Sequence, residues 1–196
     1  MTQPKKRIPT MQLVLCAVFA ALTAVCAQIT IPIGAVPISL SLLPPLLCAA
    51  LLSPRYAVLS MLVYLLMGVC GLPVFSGMSG GPGKLFGITG GYILGYVPCV
   101  LLASFLMHRS WGNLIKKCAA MALGVLVCYA FGTVWFMVLR GLDLMSTLSV
   151  CVFPFLPFDA LKIVLAAFLS DRLKKPLEKI AGMSYRVLAG QNPYTP

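Results

Sequence analysis

The sequence predicts an all-α membrane protein with six transmembrane helices, and two observations support this class. Of its 196 residues, 60% are hydrophobic and only 10% are charged, and the mean hydropathy is +0.99. Soluble domains carry about 25% charged residues. Several apolar stretches approach the ~20 residues that a helix needs to cross a ~30 Å hydrocarbon core. The strands of a membrane barrel would instead show alternating segments of about 10 residues.

Six apolar segments are expected to cross the membrane as helices. They run from Met11 to Ile31, Ile38 to Leu52, Tyr56 to Leu72, Gly90 to Met107, Cys118 to Leu139, and within Leu144 to Leu169. In the second segment, Pro44 and Pro45 predict a kink because proline removes a helix hydrogen bond. The chain then divides into a basic N-terminal segment (residues 1–10), a six-helix membrane domain (11–173) and a C-terminal tail (174–196).

The basic residues predict the orientation of these helices. All but three of the 15 lysines and arginines lie at the termini or in the two loops that would share a side with them. By the positive-inside rule, both termini are cytoplasmic and the chain is a multi-pass protein of the cell membrane. The same rule explains the net charge of +11 without a nucleic-acid partner. The three exceptions are Lys84, Arg140 and Lys162. Lys84 and Arg140 are either ligand contacts or solvated loop residues.

Composition and motifs argue against a metal or cofactor site and against an ATP site. The eight cysteines are scattered singly, without a C-x-x-C pair, and His108 is the one histidine. Zinc and iron–sulfur ligands need close, paired spacings. The run Gly77–Lys84 is glycine-rich but lacks the G-K-[ST] ending of a phosphate loop. We therefore expect no metal and no cofactor, and any ATP hydrolysis must come from another chain.

Asp159 and Lys162 form the candidate binding site. A charged side chain at membrane depth costs about 2.5–3.5 kcal/mol and is usually retained for a ligand or a pathway. Their i, i+3 spacing places both on one helix face. A carboxylate that accepts and an ammonium that donates match a neutral ligand with an N–H beside a carbonyl, such as a cyclic urea. The alternative is a paired charge that only holds the sixth helix against its neighbours.

Two further segments carry organised signals. In the first helix, Ala17, Ala20, Ala21 and Ala24 form overlapping small-xxx-small pairs, which let another helix approach closely, either in a partner or within this chain. Gln28, at the outer end of the same helix, faces a pocket or hydrogen-bonds to a neighbouring helix. The glycine-rich loop 73–89 covers such a pocket or is simply a flexible outer loop.

Several motifs together resemble the BioY family of biotin-specific S components, the substrate-binding membrane subunits of energy-coupling factor transporters. They are Gly71–Phe75 with the glycines that follow, Thr89–Gly95, Tyr129 with Gly132–Trp135, and Pro154–Lys162. The resemblance extends in order and spacing from Met11 to about Leu173. Three positions depart from the family pattern: Phe158, Ile88 and the run Ser39-Leu40-Ser41.

The resemblance implies an S-component fold in which outer loops and the outer halves of helices four to six hold biotin. It implies that Asp159 and Lys162 contact the ligand and that the loop with Ser79, together with Gly90, Gly91 and Tyr92, lines or closes the site. Lys84 and Arg140 are the cations available for the valerate carboxylate. It also implies that the alanine-rich first helix packs against a transmembrane coupling subunit joined to two ATPases.

Two other functions remain open from the sequence. The same fold could serve another vitamin, because the pocket residues choose the ligand and the architecture is shared. Alternatively, the chain is an intramembrane enzyme or an assembly protein in which Asp159 and Lys162 act as acid and base or hold helices together. The lack of a second carboxylate or a histidine at depth disfavours the enzyme.

Overall fold

The computed structural model describes residues 10–31, 37–109 and 113–181, and these are mostly helical. The α-helices in these ranges are α1 (Thr10–Gln28), α2 (Leu43–Leu51), α3 (Pro54–Val69), α4 (Pro82–Leu85), α5 (Gly90–Leu94), α6 (Tyr96–Arg109), α7 (Leu114–Arg140), α8 (Leu144–Cys151) and α9 (Leu156–Ala181). A 3-10 turn, Leu40–Leu42, leads directly into α2.

In the described part of the chain, three helical units are long and apolar enough to cross a membrane: α1, the α5–α6 unit (Gly90–His108) and α7. The pair α8–α9, bent by 54° at its break, forms a fourth if it counts as one span. The segments Leu40–Leu51 and Pro54–Val69 are apolar but shorter. The mostly helical class is confirmed, with three to four candidate spans by length and composition.

The helix ends follow local chemistry. Asn113 caps α7 by accepting a hydrogen bond from the N–H of Ile115, and Gly141, at φ 65°, ends the same helix in the left-handed conformation that glycine adopts without strain. Asp143 caps α8. Hydrogen bonds from the Ser146 side chain and from its N–H lower the pKa of the exposed Asp143 carboxyl, so the cap stays charged.

Pro44 and Pro45 do not kink the second apolar segment as expected. The α-helix begins at Leu43, so both prolines lie in its first turn, where backbone N–H groups have no helical partner. They therefore mark the change from the 3-10 turn to the α-helix.

The centre of the fold is α2, whose nine residues are all buried. It packs against α1, α3, α6 and α9, which explains why its sequence is apolar on every side. Around it lies the main core, which includes Leu46, Met61, Val100 and Met121. A second cluster, with Tyr64 and Phe75, lies beneath the outer loop.

The chain enters α2 through a short β-hairpin, which the all-α prediction did not include. Strand β1 (Thr30–Ile31) pairs antiparallel with β2 (Ile38–Ser39), with Thr30 opposite Ser39. This pairing fixes the backbone of Ser39 at the end of the helix bundle where α1 ends.

Candidate functional site

A cavity of about 80 Å³ lies where β2, the 3-10 turn, α5, α6, α7, α8 and α9 meet. Its lining combines hydroxyl, thiol, aromatic and aliphatic groups with one charge pair. The lining residues are Pro37, Ser39, Ser41, Leu42, Tyr92, Tyr96, Cys128, Tyr129, Cys151, Phe155, Asp159 and Lys162. Asp159 and Lys162, identified from the sequence, are therefore both at a cavity wall.

The charge pair lies at the start of α9. This helix begins at Leu156, so Pro157 and Asp159 both fall in its first turn, where proline is tolerated and an anion interacts favourably with the helix dipole. Lys162 Nζ donates to Asp159 Oδ1 at 2.6 Å, which confirms that the i, i+3 spacing brings the two together. Asp159 is 5% exposed and Lys162 is 7% exposed, so little water screens the pair.

Two groups that are distant in sequence also form hydrogen bonds with the charge pair. Tyr129, on α7, donates its hydroxyl proton to Asp159 Oδ2. Lys162 Nζ also donates to the backbone carbonyl of Ser39, at 2.7 Å. An ammonium has three N–H donors, and the described residues accept only two of them. The cluster thus presents one unused cationic donor beside a carboxylate whose two oxygens retain lone pairs.

Two glycines make room for aromatic side chains where α5 packs against α7. The rings of Tyr92 and Trp135 lie where side chains on α7 and α5 would otherwise stand. A Cβ on Gly132 would lie 2.2 Å from Tyr92 Cδ1, and a Cβ on Gly91 would lie 2.3 Å from Trp135 Cβ. The two helices can approach this closely only because both positions lack a side chain. Gly132 therefore leaves room for the ring of Tyr92, which lines the cavity, whereas Gly91 leaves room for Trp135, and neither Gly91 nor Trp135 is a lining residue.

Gly90 has a similar packing role. A Cβ at this position would lie 1.6 Å from the carbonyl oxygen of Leu85, so the backbone of α4 packs directly on the start of α5. Gly90 is buried and is absent from the cavity lining.

The other residues predicted for the binding site lie away from the cavity. Ser79 donates to the carbonyl of Ser76 at 2.8 Å within the outer loop. Lys84 lies in α4, and Arg140 is exposed in the last turn of α7. None of residues 73–89 lines the cavity. Whether these residues contact a ligand stays a prediction.

Gln28 holds the outer loop. Its Nε2 donates to the carbonyls of Pro73 and Phe75 at 3.2 and 3.3 Å, and its Oε1 accepts from the N–H of Met78 at 2.9 Å. The Phe75 ring packs where a Gly68 side chain would be, with Cζ 2.0 Å from a Cβ placed there. The segment Pro73–Met78 is thus anchored to both α1 and α3.

The alanines of α1 point in two directions. Ala17 and Ala21 are exposed. Ala20 is 1% exposed and belongs to the buried cluster with Tyr64, and Ala24 is half-buried beside the same cluster. One small-xxx-small pair, Ala17 and Ala21, is therefore open to a partner or lipid, whereas the pair Ala20 and Ala24 packs inward.

A second ion pair, with a buried lysine and a half-exposed aspartate, joins α7 and α9 away from the cavity. Lys117, itself buried, donates to Asp171. Lys117 lies 12 residues from Tyr129 on α7, and Asp171 lies 12 residues from Asp159 on α9. Each separation is about 18 Å at 1.5 Å per residue.

Within residues 10–31, 37–109 and 113–181, no group of three or more His, Cys, Asp or Glu side chains could hold a metal ion.

Sequence reasoning missed Ser39, Ser41, Tyr96 and Tyr129 as site residues. Tyr129 carried a signal, because it belongs to the family-like motif of the fifth segment, and the run Ser39-Leu40-Ser41 was noted only as a departure from the family pattern. Ser39 lies 123 residues from Lys162 in the chain, and no local pattern connects residues that far apart.

Comparisons with known proteins agree on one family. The model of the BioY family matches residues 1–179. A biotin transporter BioY from Thermotoga maritima is 35% identical over 84% of this chain and 96% of its own length. A probable biotin transporter BioY from Pyrococcus horikoshii is 35% identical over 82% of this chain and 94% of its own.

Among solved structures, the crystal structure of the S component for biotin from an ECF-type ABC transporter matches with a TM-score of 0.79 and 28% identity. The match covers 89% of this chain and 95% of that one. The fold and the sequence therefore point to the same group of proteins, and the chain belongs to the BioY family.

Proposed function

We propose that this chain binds biotin from outside the cell and delivers it inward as the substrate-binding S component of an energy-coupling factor transporter. The observation that carries the proposal is the pair Asp159 and Lys162 in a cavity wall. The chain performs no covalent chemistry, and partner ATPases supply the energy. It lies in the cell membrane with six membrane-embedded segments and both termini in the cytoplasm.

The ureido ring of biotin has two N–H donors and one carbonyl, and it complements this pair. Asp159 accepts one ligand N–H on a remaining lone pair, while the third N–H of Lys162 donates to the ligand carbonyl. Tyr129 and Ser39 hold the two charged groups in place before the ligand arrives, so little side-chain ordering opposes binding. Lys84 and Arg140 remain candidates for the valerate carboxylate, since an arginine can bind it bidentately.

Binding of radiolabelled biotin to the purified chain, with unlabelled biotin, thiamin and riboflavin as competitors, tests the ligand. Only biotin is expected to compete. Displacement by thiamin or riboflavin, or no binding at all, would contradict the assignment. The variant Asp171→Asn, which breaks the ion pair at the far end of α9, should keep the biotin affinity of the parent chain.

We further propose that the exposed row of Ala17 and Ala21 packs against the transmembrane coupling subunit, which is joined to two ATPases. Small side chains allow close helix approach in a membrane, and these two are exposed on α1. Ala17→Leu with Ala21→Leu should abolish co-purification with the coupling subunit and spare biotin binding. Ala130→Leu is the control, because Ala130 is exposed on a different helix, α7. Intact complexes in the double variant would refute the role of α1.

A further inference from the structure

Three hydroxyl groups form a continuous chain along the cavity wall next to Lys162. Ser39 Oγ lies 2.6 Å from Ser41 Oγ, and Ser41 Oγ lies 2.5 Å from the hydroxyl of Tyr96. All three side chains line the cavity. They come from β2, from the 3-10 turn and from the first residue of α6, so the tertiary fold assembles the row.

The row has one hydroxyl proton more than its internal bonds use. Three hydroxyls carry three protons, and the two contacts consume two of them. These hydroxyls make no other hydrogen bond to the residues that the structure describes. A proton therefore remains for a group that enters the cavity.

The free proton belongs at the Ser39 end. A phenol is a stronger acid than an aliphatic alcohol, so Tyr96 is the better donor within the row. Donation then runs from Tyr96 to Ser41 and from Ser41 to Ser39, and each bond polarises the next. Ser39 is also the residue whose backbone carbonyl accepts from Lys162 Nζ at 2.7 Å. Ser39 and the ammonium that retains one unused N–H therefore face the same cavity and are joined through the Ser39 backbone.

We infer that the Ser39 hydroxyl, aligned by Ser41 and Tyr96, is a second donor to the carbonyl oxygen of the ligand and acts together with Lys162. A carbonyl oxygen has two lone pairs, one for each donor. Because the row supplies this second donor, the site favours a ligand with a strong oxygen acceptor at this position. The carbonyl oxygen of a urea is such an acceptor. This inference rests on the proposed function, because it assigns a part of the same ligand to a part of the same cavity.

Equilibrium binding of biotin and of 2′-thiobiotin, whose carbonyl oxygen is replaced by sulfur, tests the inference. Sulfur accepts hydrogen bonds only weakly, so the parent protein should prefer biotin. Ser39→Ala should lower this preference by about 2-fold to 12-fold, the value of one neutral hydrogen bond. Ser39→Thr keeps a hydroxyl in a strand position that suits threonine and should retain the preference.

The ratio of the two affinities separates a ligand contact from a structural effect, which would weaken both ligands equally. Ser60→Ala is the control, since Ser60 is a buried serine that donates to the carbonyl of Cys16 and does not line the cavity. A ratio of biotin to 2′-thiobiotin affinity that is unchanged in Ser39→Ala overturns this inference alone. So does a ratio that falls as far in Ser39→Thr as in Ser39→Ala. A parent protein that binds neither ligand overturns the proposed function itself.

Discussion

Removing both charges of the site together should separate its contribution to binding from its contribution to stability. Lys162→Met alone leaves the buried carboxylate of Asp159 without its cation, and breaking a buried pair in this way costs about 3–5 kcal/mol. Adding Asp159→Asn removes that uncompensated charge and keeps an acceptor for Tyr129. The double variant then lacks mainly the donor to the Ser39 carbonyl, which costs about 1–3 kcal/mol. It should therefore be more stable than Lys162→Met.

The double variant should still bind biotin weakly, although it is more stable than Lys162→Met. Each charge-assisted hydrogen bond to a ligand contributes about 1.5–3 kcal/mol. Losing both costs about 3–6 kcal/mol, which weakens binding by a factor of about 10² to 10⁴.

The assay pairs thermal unfolding of the ligand-free protein with equilibrium binding of radiolabelled biotin. A double variant that binds within a few-fold of the parent would refute the assignment of the pair to the ligand. A double variant that unfolds at a lower temperature than Lys162→Met would show that the pair serves the fold, the alternative that the sequence left open. Asp171→Asn, whose side chain is 48% exposed in the parent, controls for loss of an ion pair elsewhere.

Three other outcomes follow from the structure. Gly132→Ala places a Cβ 2.2 Å from the Tyr92 ring and should cost about 1–3 kcal/mol of stability and weaken biotin binding, whereas Gly83→Ala, with nothing within 4 Å of its Cβ, should change neither. Gln28→Leu removes the side-chain hydrogen bonds that hold the outer loop, and faster proteolysis of that loop in detergent is expected; an unchanged cleavage rate would show that apolar packing alone anchors it. Cys70, exposed just after α3, should react with a membrane-impermeant maleimide added outside intact cells. Labelling only after lysis would reverse the proposed orientation.

Local sequence patterns predicted the features that depend on near neighbours. The i, i+3 spacing of Asp159 and Lys162 was enough to predict that the two side chains meet on one helix face, as observed, whereas the start of α9 at Leu156 was left open within residues 144–169. The same rules failed at Pro44, because the predicted segment began too early. The α-helix starts at Leu43, so the proline initiates the helix and does not kink it.

Side-chain direction was harder to predict than helix position. The four alanines of α1 share one sequence pattern, yet Ala20 packs inward and Ala17 is exposed. Helical spacing sets the angle between two side chains but not the direction that faces the core, because that direction depends on where the neighbouring helices lie.

The sequence by itself determined the membrane class, the apolar segments and the charged pair, since these follow from composition and from contacts within a few residues, and its motifs carried the resemblance to the family. Only the tertiary structure decided what surrounds that pair. The Ser39 carbonyl and the Tyr129 hydroxyl reach it across 123 and 30 residues of chain, and the row from Ser39 to Tyr96 joins a hairpin to a helix. Such contacts arise when a buried charge must find hydrogen-bonding partners wherever the packed helices bring them. The two charged residues could therefore be predicted from the sequence, whereas their hydrogen-bond partners depend on the tertiary structure.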